Sequence, residues 1–121
     1  MILLLTLLPG FAPQQPPAPV AARVPVLVEL FTSEGWSSCP SADAVLLDLA
    51  ERQPIEGVEV IALGQHVDYW NRLGWKDPYS SHSYTKRQGR YRAQFGAESI
   101  YTPQAVVDGQ AELVDSKKGA F

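Results

Sequence analysis

The chain has 121 residues, which is enough for one domain, and 45% of them are hydrophobic while 19% are charged. Its net charge of −3 and its pI near 5.3 argue against a nucleic acid as a partner. No apolar run reaches the roughly 18–20 residues that a transmembrane helix needs, so a stable membrane span is not expected.

The N-terminal 22 residues differ in composition from the rest of the chain. Residues 1–12 are apolar, residues 13–19 are rich in Pro and Gln, and residues 20–22 supply small side chains for signal-peptidase cleavage. This pattern predicts a signal peptide or a Pro-rich N-terminal segment over residues 1–22, and therefore a secreted or periplasmic protein. No Lys or Arg precedes the apolar run, and a disordered apolar tail is the alternative. The folded domain is expected over residues 23–121.

A strand and a helix come first in the domain. Residues 23–31 form an almost continuous apolar run, which is typical of a central strand covered on both faces. Pro25 cannot donate a hydrogen bond to a neighbouring strand, so regular pairing is expected only after it. Residues 40–53 have apolar side chains at helical spacing, and Ser37 or Ser38 is the expected N-cap.

A second strand and a second helix follow. Residues 58–63 predict a strand parallel to the first, with its apolar side chains buried. Residues 65–83 are expected to form a long loop rich in aromatic side chains, and residues 83–95 a helix that ends at Gly96. This helix is strongly basic, and its cations are expected to lie on a solvated face: Lys86, Arg87, Arg90 and Arg92.

The last predicted elements are two short strands. Residues 105–107 and 111–114 are apolar, and Asp108-Gly109 between them is a strong signal for a two-residue hairpin turn. The order β-α-β-α-β-β indicates the α/β class. The chain stops shortly after this hairpin, and a C-terminal truncation is therefore expected.

Three segments carry a resemblance to a known family. Residues 30–43 read L-F-T-S-E-G-W-S-S-C-P-S-A-D, residues 66–78 read H-V-D-Y-W-N-R-L-G-W-K-D-P, and residues 101–109 contain Y-T-P-Q and V-D-G. The chain resembles the thioredoxin-like superfamily and, more specifically, a secreted bacterial family of unknown function with the motifs F-T-S-x-G-C-S-S-C-P-x-A-D and H-V-D-Y-W. The resemblance implies a thioredoxin-like fold and an extracytoplasmic location, but no reaction.

Cys39 is the first candidate for chemistry, because a cysteine at a helix start after a strand is the layout of a thioredoxin-like redox site. In the family motif Cys39 takes the second cysteine position, and Trp36 replaces the first cysteine. The chain has one cysteine, so it forms no intramolecular disulfide. Two interpretations of Cys39 stay open: a small core residue, or a monothiol whose thiolate is favoured by the helix N-terminus.

The resemblance also implies a substrate groove beside Cys39. Thr102-Pro103 matches the cis-proline that faces the cysteine motif in thioredoxin-like proteins, and Trp36 lies next to the same site. An ordinary trans proline at the start of an edge strand, and simple packing of Trp36 on its loop, are the alternatives. We therefore take Trp36, Thr102 and Pro103 as the predicted groove residues.

His66 and Asp68 follow the second strand and are predicted to modulate the Cys39 sulfur, because ligands gather at the carboxyl ends of strands in open α/β sheets. A hydrogen-bonded loop anchor is the alternative role for His66. These two residues, His82 and Cys39 lack the close spacing of a zinc site, so neither a metal nor another cofactor is expected.

The sequence supports three functional hypotheses. The first is a secreted thioredoxin-like domain related to thiol-disulfide oxidoreductases, with at most monothiol chemistry at Cys39 toward a peptide or a small thiol. The second is a non-catalytic binding module that uses Trp36 and the aromatic loop over residues 66–79. The third is a truncated, non-functional product. Whether the protein is an enzyme stays open.

Overall fold

The computed structural model describes residues 22–113. The elements in chain order are β1 (Val24–Thr32), α1 (Cys39–Arg52), β2 (Val58–His66), a 3-10 turn (Asn71–Leu73), α2 (His82–Phe95), β3 (Gln104–Val107) and β4 (Ala111–Leu113). The predicted α/β class and element order are confirmed. The predicted signal segment and the chain after Leu113, including the expected end of the last strand at Val114, lie outside the described residues.

The four strands form one sheet in the order β2-β1-β3-β4. β1 pairs in parallel with β2, and β3 pairs antiparallel with both β1 and β4. The end of β1 therefore lies beside the end of β2 and the start of β3, as the pairs Thr32–His66 and Phe31–Gln104 show. This edge of the sheet, where α1 also begins, positions the candidate site.

Two predicted strand boundaries are wrong. β2 continues to His66, so residues 65 and 66 belong to the strand and not to the loop. Regular pairing already includes Pro25, which pairs with Glu59. The N–H of Val24 donates to Gly57 O on the β2 side, so the nitrogen of Pro25 faces the other edge of β1, where β3 pairs only residues 28–31. The missing donor at Pro25 therefore leaves the ladder intact.

The helix α1 covers one face of the sheet. Its apolar residues Ala42 and Leu46 are buried against β1 and its neighbours, and the buried residues of this core are Val28, Leu30, Ala42, Leu46, Val60 and Ala105. Ser38 occupies the N-cap position, as one of the two predicted candidates, but its side chain makes no capping hydrogen bond. Pro40 lies in the first turn, where the missing N–H has no intrahelical partner to lose.

The helix α2 covers the other face through a mostly aromatic cluster. Phe31, Val67 and Val106 are buried there, and the partly buried residues packed against them are Tyr69, Trp70, Tyr91 and Phe95. The predicted burial of Ile61 and Leu63 is wrong, because they are 45% and 44% exposed. They lie on the edge strand β2, whereas this cluster is centred on β1 and β3.

The helix α2 also contradicts the expectation of a purely solvated basic face. Arg87 donates through Nε to Glu29 Oε1 at 2.9 Å and makes a second, shorter contact to the same oxygen through Nη2. The Glu29 side chain is only 1% exposed, and its Oε2 is buried without a hydrogen-bond partner within residues 22–113. The hydrogen bond to Glu29 raises the pKa of Arg87, so the guanidinium is bound as a cation.

The predicted hairpin is present, but its loop has three residues rather than two, because Val107 pairs with Ala111. Asp108 and Gly109 are the central residues of the turn, which is closed by a hydrogen bond from Gln110 N to Val107 O at 3.0 Å. Their φ angles of 50° and 67° have the left-handed geometry that Asp-Gly favours. The Asp108 side chain accepts a hydrogen bond from Leu27 N at 2.8 Å and so ties the turn to β1. No helix within residues 22–113 is long and apolar enough to cross a membrane.

Candidate functional site

Cys39 is the first residue of α1, directly beyond the loop that follows β1. Its side chain is completely buried, and its backbone N–H donates to Trp36 O at 3.1 Å. Trp36 itself is half-buried at the surface of the same loop. The Cys39 side chain therefore lies in the interior, whereas the Trp36 side chain lies at the surface.

The environment of Cys39 favours the neutral thiol. Burial raises the pKa of the Cys39 thiol above its ordinary value, and the negative charge of Asp43 raises it further. The neighbouring polar groups of Thr32, the Ser33 backbone and Thr102 lower the pKa, but the net shift of the Cys39 pKa is upward. A protonated, inaccessible sulfur is the condition of a structural cysteine rather than an activated nucleophile.

Trp36 stacks on Trp70 directly beside the predicted groove. The centroids of the two rings are 4.1 Å apart, and the angle between the ring planes is 11°. Trp70 Nε1 donates to Thr102 Oγ1 at 2.6 Å, and the Thr102–Pro103 peptide bond is cis, as the resemblance implied. Gly35 permits this approach, since a Cβ at that position would lie 3.3 Å from Trp70 O. The structure thus brings Cys39, Trp36 and Thr102 together.

A buried amide network, absent from the sequence-based hypotheses, holds the Thr102 segment in place. Gln88 of α2 is fully buried and donates to Tyr101 O at 2.7 Å and to Gln104 Oε1 at 2.9 Å. Tyr69 donates its hydroxyl proton to Gln88 Oε1. A glutamine inside a basic, polar helix carries no sequence signal for burial, so only the packing of α2 on the sheet identifies it.

His66 serves as an anchor for the aromatic loop. Its Nδ1 lies 2.6 Å from Asp77 Oδ2, and the buried Asp77 carboxylate also accepts from the backbone N–H groups of Glu34 and Tyr79. Burial alone would raise the pKa of Asp77, but these hydrogen bonds outweigh it and hold the pKa below its ordinary value. The anchor alternative for His66 therefore fits these contacts.

The hydrogen bonds of the Asp68 side chain lie at the start of α2. Its carboxylate accepts from Thr85 Oγ1 at 2.6 Å and lies 3.0 Å from His82 Nδ1, both near the start of α2. The Thr85 hydrogen bond is the largest influence and lowers the pKa of Asp68. Of the two predicted modulating residues, Asp68 therefore fastens α2 to the end of the β2 segment.

Asp43 is a further polar residue at this edge, and it is not among the site residues that the sequence analysis predicts. It accepts a hydrogen bond from Thr32 Oγ1 at 2.6 Å. Burial raises the pKa of Asp43, and the Thr32 hydrogen bond and the His66 imidazole oppose this shift. Asp43 and His66 belong to a pocket of about 410 Å³ between α1 and β2, whose other lining residues are Leu46, Leu47, Ala50, Ala62 and Gly64.

The aromatic loop exposes large side chains close to this edge. Leu73, Trp75 and Tyr79 are 56%, 58% and 67% exposed. Trp75 is held by a hydrogen bond from its Nε1 to Glu34 Oε2 at 3.0 Å. Within residues 22–113 no group of three His, Cys, Asp or Glu side chains is arranged to hold a metal ion. The arrangement therefore offers aromatic contact area around a buried thiol.

The comparisons with known proteins give a family but no activity. The chain is similar to a crystal structure of a protein from Agrobacterium tumefaciens, with a TM-score of 0.71 and 40% sequence identity over 80% of this chain. That match covers 41% of the Agrobacterium protein, so this chain spans less than half of its length. No curated protein matches the sequence. The family model described as "Protein of unknown function (DUF1223)" matches residues 27–121, and the chain therefore belongs to this family.

Proposed function

We propose that this chain is a secreted thioredoxin-like domain that binds an extended peptide without catalysing a reaction. The observation that carries the proposal is the Trp36–Trp70 stack, which is bonded to Thr102 above a completely buried Cys39. The position that holds a reactive cysteine in C-x-x-C proteins here presents an aromatic ring. The recognition surface consists of Trp36, Trp70 and the exposed side chains of Leu73, Trp75 and Tyr79.

The thioredoxin-like assignment is supported by topology as well as by motifs. The sheet order β2-β1-β3-β4, the helix that begins at Cys39 after β1, and the cis Thr102–Pro103 bond beside it match the layout expected for that superfamily. The segment before Pro103 borders the Trp36–Trp70 stack, so a peptide that lies along it would contact both rings. Aromatic side chains provide large contact areas at little entropic cost, and exposed clusters of them mark binding surfaces.

Panning of a random-peptide library against the folded protein tests the peptide-binding proposal. We expect enriched peptides to lose at least about 30-fold in affinity for Trp36→Ala, because truncation of a central aromatic anchor typically removes about 2 kcal/mol or more. Val24→Ala is the matched control, since Val24 is 62% exposed at the opposite end of β1 and its variant should bind normally. Equal enrichment on the Trp36→Ala protein would contradict the proposal.

Monothiol chemistry at Cys39 is a second candidate, favoured by the neighbouring polar groups that lower the Cys39 pKa, namely Thr32, the Ser33 backbone and Thr102. A Cys39 thiolate would attack one sulfur of a small disulfide, form a mixed disulfide and release the other half as a thiolate. Oxidised glutathione is a suitable probe. Under this candidate the mixed disulfide forms on the folded chain, and Cys39→Ser abolishes it while leaving the fold intact.

The rate of alkylation of Cys39 by iodoacetamide as a function of pH separates the two candidates. Because burial raises the thiol pKa, we expect the folded chain to react more slowly than the unfolded chain at every pH. We also expect no increase in the alkylation rate from thiolate formation below the ordinary cysteine pKa of about 8.5. The raised pKa also means that the thiol stabilises the fold below its unfolded pKa and that this contribution is lost as the pH rises. Rapid alkylation of the folded protein near neutral pH would favour the monothiol candidate.

A further inference from the structure

The pocket between α1 and β2 lies outside the proposed peptide surface. Its volume of about 410 Å³ falls within the range of small-molecule sites. Its walls are the apolar side chains of Leu46, Leu47, Ala50 and Ala62. Its polar groups, Asp43 in the first turns of α1 and His66 at the end of β2, both lie at the edge of the sheet where the parallel strands end. The pocket therefore has an apolar body and one polar end.

Both polar groups keep an atom for a ligand. Thr32 occupies Oδ1 of Asp43, which leaves Oδ2 as the oxygen that can accept a further hydrogen bond. Asp77 holds His66 through Nδ1, which leaves Nε2 as the ring nitrogen that can face a ligand. Asp77 is buried and fixed by two backbone N–H groups, so the orientation of the imidazole is set before a ligand enters.

The charges at the polar end favour a cation. Burial raises the pKa of Asp43, and the negative charges of Asp77 and Glu34 raise it further. The His66 imidazole lowers the pKa of Asp43. The Asp43 carboxylate and His66, which is bonded to the Asp77 carboxylate, therefore form the polar end, with two carboxylates and one imidazole. A positive charge next to Asp43 relieves this repulsion, and it is attracted more strongly in the partly buried pocket than in open water.

We propose that this pocket binds an alkylammonium group, with the nitrogen at Asp43 and the carbon chain along Leu46 and Ala62. The apolar walls fit a methylene chain, and a compact ammonium presents its donors to Asp43 Oδ2. The same chemistry occurs in free amines and in the lysine side chain of a peptide. The site does not depend on the proposed peptide surface.

Titration of the folded protein with n-butylammonium chloride at pH 7, followed by backbone NMR, tests the proposal. Butanol and butyrate are matched probes with the same carbon chain and a different charge. We expect butylammonium to bind at least about tenfold more tightly than butanol, butyrate to bind more weakly than butanol, and the shifts to centre on residues 43–50 and 62–66. Equal binding of butylammonium and butanol, or shifts elsewhere in the chain, would overturn the site.

Two variants locate the binding. Asp43→Asn removes the charge and is expected to reduce butylammonium affinity to that of butanol. Leu47→Lys, at a wall residue that is 57% exposed, tests the same point while leaving the carboxylate intact, because its tethered ammonium should compete and lower the affinity about tenfold. Val24→Lys is the matched control at an apolar residue that is 62% exposed at the start of β1, and it should leave butylammonium binding unchanged. Unchanged affinity in both Asp43→Asn and Leu47→Lys would overturn the proposal.

Nα-acetyl-lysine methylamide distinguishes the two sources of the ligand. Affinity at least equal to that of butylammonium would support a peptide-borne lysine, and exclusion of this probe while butylammonium binds would support a free amine. Failure of both probes would overturn the proposal. The peptide-binding function is tested independently of this pocket, since Leu47→Lys should leave the Trp36-dependent binding of enriched peptides unaffected.

Discussion

Replacement of Arg87 by alanine should lower the free energy of unfolding by about 3 kcal/mol. Glu29 is buried on β1, and Arg87 is its cationic partner across the α2 face of the sheet. Loss of one member of a buried ion pair leaves an uncompensated charge, which typically costs about 3–5 kcal/mol. Arg87 is itself 42% exposed, so we expect the lower end of this range. Arg87 also lies over the Tyr91 ring, 5.4 Å from its centroid, and this contact is lost as well.

Urea denaturation followed by circular dichroism measures this effect. Arg90→Ala is the matched control, because Arg90 is an exposed arginine on the same helix and its loss should change stability by less than about 0.5 kcal/mol. Addition of Glu29→Gln to Arg87→Ala should recover part of the lost stability, since it removes the unpaired charge. A similar, small effect of Arg87→Ala and Arg90→Ala would show that the Glu29 contact contributes little.

Replacement of Asp77 by alanine is expected to cost about 3 kcal/mol and to loosen the aromatic loop. The buried carboxylate joins Glu34 N, Tyr79 N and the His66 ring. One hydrogen bond to a charged acceptor is typically worth about 1.5–3 kcal/mol, and we expect a total near the value of one or two such bonds because the exposed Glu34 and Tyr79 can bond to water after the substitution. Asp48→Ala is the matched control on α1, where the surface pair with Arg52 should be worth less than about 1 kcal/mol. Thermal unfolding and near-ultraviolet circular dichroism of the tryptophans measure both effects.

The Asp77 effect also has a defined pH dependence. The folded-state pKa of Asp77 is lowered, so its contribution to stability is present above the unfolded-state pKa and is lost as the pH falls through the folded-state value. The difference in stability between the native protein and Asp77→Ala should therefore be largest near neutral pH and shrink below about pH 4. A difference that stays constant into the acid range would show that the carboxylate charge is not what holds the loop.

Local patterns account for the parts of the fold that the sequence predicts well. The apolar run of β1, the helical spacing of α1 and the Asp108-Gly109 turn each depend on residues within a few positions of one another. The α/β class and the element order follow from these local signals. The placement of Cys39 at the start of α1 follows as well, since it needs only the strand, the loop and the helix in sequence.

Polar pairing is what the local pattern cannot predict. Glu29 and Arg87 are 58 residues apart in the chain, and Trp70 and Thr102 are 32 residues apart. The Trp70–Thr102 pair forms only when the loop after β2 lies against the segment before β3, and the Glu29–Arg87 pair forms only when α2 packs across the sheet. The same packing buries Gln88 and turns Arg87 inward, although both look like surface residues in a polar, basic helix.

The sequence alone determined which segments become strands and helices and where the chain turns, because these properties depend on backbone preference and local hydrophobic periodicity. The position of Thr102 beside Cys39 was implied by the family resemblance and not by a local pattern. The tertiary structure decided the burial of Cys39, the pairing of His66 with Asp77, and the exposure of Ile61 and Leu63. These depend on which neighbour covers each face of the sheet. Desolvation and hydrogen bonding at the candidate site therefore arise only once the layers are packed.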